Sequence, residues 1–459
     1  LTNSAGTLLL TTTDSGTQLT TNSALAGDVS VEGGLELLHR GTSDGVGTME
    51  IATGSTLTNS GSITGDIDND GHVNLETGGT VTGAVTNAGT LDISDATITW
   101  TLDNQSGATL TVSAPTKASI TGDVQNDGAI LGDVDSTTLE IGGRLTSGGK
   151  IDTVQNNDSL TIRATEILIT DWSDVDTDDV TLYGTRVNQT DLVYDDGTTL
   201  STEVIRRGIL NEGAGTVTVK DDLNASNFNI TNENEFKVAS ANWPLINRVT
   251  NVNHFNNSGS DAELTIETRA ALSALTIANS GTINVNGSLS GTVDNSGTLD
   301  VDGTLTGAVN NSGTMGVAGE VSGTVTNEAD AVLTSTGTLG GLINESADLD
   351  NSIAGDVTGD VYNRNGATLT STAEVGGNFW NNGALTVSGT IHGTLTNRVA
   401  SAANATLNLG GNLNVGGLVN NGSITIDDNR TLTSGTAVDN NGTLDVDGTL
   451  TGAVNNSGT

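Results

Sequence analysis

From Asn295 to Asn310 the chain reads NSGTLDVDGTLTGAVN, and its polarity alternates residue by residue. Odd positions up to Val309 carry Asn, Gly, Leu or Val; even positions carry Ser, Thr, Asp, Ala or Asn. A period of two is that of a β-strand with one buried face. The unit is sixteen residues long, and an even length keeps the same face inward when the next copy is stacked on it. The pattern predicts an all-β fold: an elongated single-chain parallel β-helix (β-solenoid) of about 16–20 residues per coil, with handedness left open. With strands ~4.8 Å apart along the axis, this gives roughly 23 to 28 coils and a rod about 110 to 135 Å long.

Consecutive copies define what each position does. Ile283, Leu299 and Met315 form one inward column, and Val285, Val301 and Val317 a second. Leu289, Leu305 and Val321 form a third, and Val293, Val309 and Val325 a fourth. A single coil buries too little to fold alone, so stability must come from stacked neighbours. Gly287, Gly303 and Gly319, followed by Gly291, Gly307 and Gly323, fall where a narrow cross-section must turn. A side chain there would collide, and glycine also permits positive φ. Asn279, Asn295, Asn311 and Asn327 make a further column, expected to be a structural ladder of stacked amides. Asn also tolerates a left-handed corner. On the outer face Asp300 falls between Asn284 and Gly316, and Asp302 between Asn286 and Ala318, so acidic residues do not stack on themselves.

The marker asparagines recur at Asn279, Asn295, Asn311, Asn327, Asn344, Asn363, Asn381, Asn397, Asn420, Asn440 and Asn456. After three intervals of 16, the spacing runs 17, 19, 18, 16, 23, 20 and 16. Odd intervals break parity and predict bulges or altered corners near Asn344, Asn363 and Asn420. Looser copies mark Asn59, Asn69, Asn87, Asn104 and Asn126. The chain is therefore divided into solenoid repeats over 1–149, an irregular solenoid region with loops over 150–275, and regular repeats over 276–459. Seven of the eleven aromatic residues and nine of the fifteen basic ones lie in that middle region. Wider coils filled by larger side chains account for this, and a recognition surface on loops is the functional alternative.

Composition narrows the partners more than the fold. The 459 residues carry a formal charge of −40, from 15 Lys plus Arg against 55 Asp plus Glu, so nucleic acid is not an expected partner. With no cysteine, disulfides and thiolate metal sites are excluded. No apolar run approaches the roughly 18 residues of a membrane span, and direct membrane insertion of this stretch is not expected. Residues 439–459 repeat 294–314 with one difference, Ser296 against Asn441, and the sequence stops within a unit. That abruptness suggests an interior piece of a longer repetitive protein.

The phrases GTLTGAVNNSGT, GTVTGAVTNAGTLDI and ALTVSGTIHGTLTN resemble the parallel β-helix passengers of bacterial autotransporters and large secreted adhesins. A weaker likeness, in ITGDVQNDGAILGDV and IAGDVTGDVYN, is to the cytoskeletal bactofilins, whose β-helical cores are much shorter. The first resemblance implies a secreted or cell-surface structural β-solenoid: a stalk, fibre or adhesin scaffold, self-assembling into filaments in one variant. It implies an extracellular or bacterial cell-surface location. The partners it implies are the chain itself, end to end or laterally, or cell-surface glycans and proteins.

Catalytic chemistry is sparse. His39, His72, His254 and His392 stand in unrelated contexts and read as surface or corner residues, and no metalloprotease, nucleophile-elbow or phosphate-loop pattern occurs. The reading is therefore non-enzymatic, with no cofactor. A β-helical polysaccharide lyase or hydrolase is the enzymatic alternative, for which Arg206, Arg207 and the acidic run from Asp171 to Asp179 are the available material. Asp174, Asp176 and Asp178 have the i, i+2, i+4 spacing that places carboxylates together, and oxygen ligands suit calcium. A water-solvated acidic turn explains the same residues.

Overall fold

The computed structural model describes the chain apart from residues 1–6, 15, 114–116, 134–136, 154–159, 170–179, 189–191, 195–207, 212–215, 221–222, 225–228, 240–246, 365 and 399–404. Parallel strands stack as a β-solenoid of about 20 turns with ~19 residues per turn, and no helix occurs among the described residues. The turns are fewer than the 23 to 28 expected, because many coils are longer than the sixteen-residue unit. Two compact units are formed, Leu1–Val187 with Leu200–Gly208, and Asn188–Thr199 with Ile209–Thr459.

In the second unit the sixteen-residue copies lie in register. Thr298–Val301 pairs in parallel with Thr282–Val285 on one side and with Thr314–Val317 on the other. These pairings align Ile283, Leu299 and Met315, and Val285, Val301 and Val317, and all six side chains are buried. Ser288–Asn295 pairs with Thr304–Thr306 and Val309–Asn311, which completes the Leu289–Leu305 and Val293–Val309 columns. Between Val301, fully buried, and Asp302, exposed, the strand changes face within one residue. That is the pleat expressed as burial.

Backbone contact between coils is close enough to require glycine. A Cβ on Gly303 would collide with the carbonyl oxygen of Gly287 one coil below, and that oxygen cannot move without breaking the stack. Gly307 has φ of 141° as well, a conformation that side chains oppose.

Irregularity falls where parity breaks. Opposite Val321 to Thr324, the strand Thr338–Asn344 advances only from Leu339 to Gly341, a bulge that absorbs the odd interval before Asn344. The strand Thr406–Asn420 has register shifts against Ala384–Asn397 on both sides of Gly389–Ile391. At Asn363 the pairing is regular, and the extra residues leave the strands between Asn344 and Ser352.

The first unit adds a separate eight-stranded parallel face, running from Gln18–Thr21 through Glu36–His39 and Thr56–Asn59 to Lys150–Thr153. Within the 150–275 stretch, Phe236 and Phe255 are buried and meet edge to face, with ring centroids 5.3 Å apart at 86°. Both rings continue inward columns, Phe236 between Val217 and Leu264 and Phe255 between Ile230 and Ile277.

Candidate functional site

Each marker asparagine ends a strand, and the side chain points inward because its parity matches the aliphatic columns. In the second unit Asn211, Asn232, Asn257, Asn279, Asn295, Asn311 and Asn327 follow one another, then Asn344, Asn363, Asn381, Asn397, Asn420, Asn440 and Asn456. Every Nδ2 donates to the next Oδ1, at 2.6–3.0 Å. All the bonds run in one direction. From Asn211 to Asn440 each amide also donates to backbone carbonyls, as from Asn279 to Thr298 and from Asn311 to Val332. The backbone carbonyl of Asn295 in turn accepts from the N–H groups of Ser312 and Gly313, which fixes the next Ser-Gly turn. A buried amide needs all its partners, and here the coil above and the coil below supply them.

The ladder contains Asn279, Asn295, Asn311 and Asn327 and extends into the stretch where the repeat is hardest to see. None of its asparagines has positive φ, so the left-handed corner expected of them does not occur. They are extended strand residues held by amide bonding. The first unit has a shorter ladder, Asn69 to Asn87, Asn104 and Asn126, which ends when Asn126 Nδ2 donates to Ser147 Oγ at 2.9 Å. Asn59 stands apart from it, on the eight-stranded face beside His39.

His39 corrects the reading of the histidines as surface or corner residues. It is fully buried, with Nδ1 2.8 Å from Asn59 Oδ1 and Nε2 2.8 Å from Ser43 Oγ. Two polar partners satisfy a ring that would otherwise be costly to bury. The other three lie outside the core, beside Asp92, Thr276 and Glu374 respectively. Asp174, Asp176, Asp178, Arg206 and Arg207 lie outside the described residues. Among the described residues no three His, Cys, Asp or Glu side chains gather as they would around a metal ion.

Two outward columns flank the long ladder, one from the residue before each asparagine and one from the residue after. Beside Asn279 to Asn327 they are small or polar: Ala278, Asp294 and Asn310 on one side, Ser280, Ser296, Ser312 and Glu328 on the other, lining a shallow groove of about 320 Å³. Further along, the same groove is lined by Tyr362, Trp380, Arg364, Asn382 and Arg398, with a volume of about 460 Å³. Tyr362 and Trp380 stack at 4.4 Å and 9°, and Tyr362 is 37 % exposed. Sequence reasoning missed this cleft because it counted aromatic and basic residues by segment. The available signal was phase: both aromatics immediately precede a marker asparagine, and both arginines immediately follow one.

No family model, curated protein or solved structure matches this chain.

Proposed function

We propose that this chain is a non-catalytic structural β-solenoid, a stalk, fibre or adhesin scaffold displayed on a bacterial surface or secreted. The asparagine ladder, continuous from Asn211 to Asn456, carries the reading. It commits one buried side chain per coil to joining that coil to the next, and supplies a scaffold that lengthens by adding units. The outer faces of the regular coils present Thr, Ser, Asn and Asp, which suit hydration, and their acidic excess opposes nonspecific association with polyanions.

The test exploits the equivalence of Asn295 and Asn311. Duplicating residues 296–311 in tandem preserves both the ladder and the strand parity at each junction. Five added copies should lengthen the particle by about 24 Å in small-angle scattering, with the thermal transition retained. Inserted coils that fail to fold would refute the modular scaffold. If the purified chain instead depolymerises a polysaccharide, and Arg206→Ala or Asp176→Ala abolishes the activity, the enzymatic alternative replaces it.

A further inference from the structure

The cleft at Tyr362, Trp380, Arg364, Asn382 and Arg398 departs from the rest of its groove in two independent respects. The first is charge. In a molecule of net charge −40, the flanking column runs Glu328, Glu345, Arg364, Asn382, Arg398, placing two guanidinium groups two coils apart. At ~4.8 Å per coil they stand about 10 Å apart along the axis. Arg364 is paired with Glu345 through one nitrogen and remains half exposed. A guanidinium has five donors, so the rest stay available. Arg398 is exposed and has no ion pair among the described residues.

The second is apolar surface. The column opposite places two stacked rings where neighbouring coils carry Ile343 and Thr396.

Two anion-binding guanidinium groups beside a partly exposed pair of stacked rings belong together in one ligand class. Carboxylates on separate sugars of one chain meet Arg398 and the free edge of Arg364, each as a planar partner of its own guanidinium. The C–H groups of a pyranose pack against the outward edges of the stacked rings. We propose that this cleft binds an acidic saccharide, a short run of uronate sugars lying along the solenoid axis. The site adds a ligand to the scaffold reading and is tested separately from it.

The full chain is titrated with α-1,4-linked trigalacturonate and, in parallel, with neutral maltotriose, by calorimetry and tryptophan fluorescence. Saturable binding of the uronate is expected, at least tenfold tighter than that of maltotriose and weakened by added salt. Arg398→Gln should weaken it at least tenfold. Trp380→Thr, which installs the residue that the next coil carries at this position, should abolish the fluorescence response. Both variants are checked for an unchanged thermal transition; Arg364→Gln provides a second charge variant should either fail to fold. Absence of saturable uronate binding overturns the proposal, as does equal binding of maltotriose or of a hexaglutamate peptide. So does uronate binding that folded Arg398→Gln and Trp380→Thr leave intact. A chain that binds no uronate but still lengthens with added coils loses this site and keeps its scaffold role.

Discussion

Replacing Asn311 by alanine removes one rung from the interior of the ladder. Asn311 is fully buried; its Oδ1 accepts from Asn295 Nδ2 at 2.7 Å, and its Nδ2 donates to Asn327 Oδ1 at 2.8 Å. Losing the two ladder bonds costs about 1 kcal/mol each, and the contacts of Asn311 Nδ2 to Gly313 O and Val332 O are lost with them. The partners then differ in what remains to them. Asn295 Nδ2 keeps its contacts to Gly297 O at 3.2 Å and Thr314 O at 3.1 Å. Asn327 Oδ1 loses its ladder donor in a site without solvent, adding about 1–3 kcal/mol. The expected total is about 3–5 kcal/mol. Asn310→Ala is the matched control, one residue away on the outer face, where the side chain is exposed and bonds only Asp294. Its cost should stay within about 0.5 kcal/mol. Asn311→Ser should fall between the two, because Ser147 shows how a hydroxyl accepts from the rung below and donates to a nearby carbonyl. Urea unfolding followed by circular dichroism measures the three differences, and hydrogen exchange of peptides spanning 295–332 localises them. Equal losses from Asn310→Ala and Asn311→Ala would mean that ladder bonding contributes nothing beyond what water supplies.

The face assignment has a sharper test. Val301→Asp places an unpaired carboxylate among Val285, Val317 and the other columns and should cost about 4 kcal/mol or more, whereas Asp302→Val should stay within about 1 kcal/mol; similar thermal shifts for both would reverse the inside and outside assignments. Lys237 provides a pH-dependent case. Its pKa is raised, first by the hydrogen bond to Glu267 and further by the charges of Glu267, Glu235 and Glu263, against an opposing contribution from burial. A raised folded pKa stabilises fully below the unfolded lysine value of about 10.4 and is lost as pH climbs through the folded value. The stability difference between the parent and Lys237→Met should therefore hold up to about pH 10 and shrink toward zero only beyond it, in urea titrations up to about pH 12. A difference that grows with pH would contradict the assignment.

Much of this molecule was legible because its information is local and periodic. Alternation within NSGTLDVDGTLTGAVN fixes which side chains face inward, and the even repeat carries that choice from coil to coil. The four aliphatic columns, the stacked asparagines and the bulge before Asn344 all follow from counting residues. The tertiary structure decided what depends on register between coils of unequal length. Only the stacking shows that Asn211, Asn232 and Asn257 continue the ladder, at spacings of 21 and 25 that no fixed period would join. Asn59 carries the same marker phrase, yet it lies on another face beside a buried histidine. Tyr362 and Trp380 are 18 residues apart, with Arg364 and Arg398 on the far side of the ladder, so no local window of sequence contains the cleft. Adjacency across a solenoid is set by coil length, and coil length is a sum over corners and bulges, each adjusted by packing against the coil beneath. Parity belongs to the individual strand and survives in the sequence; lateral neighbourhood belongs to the stack.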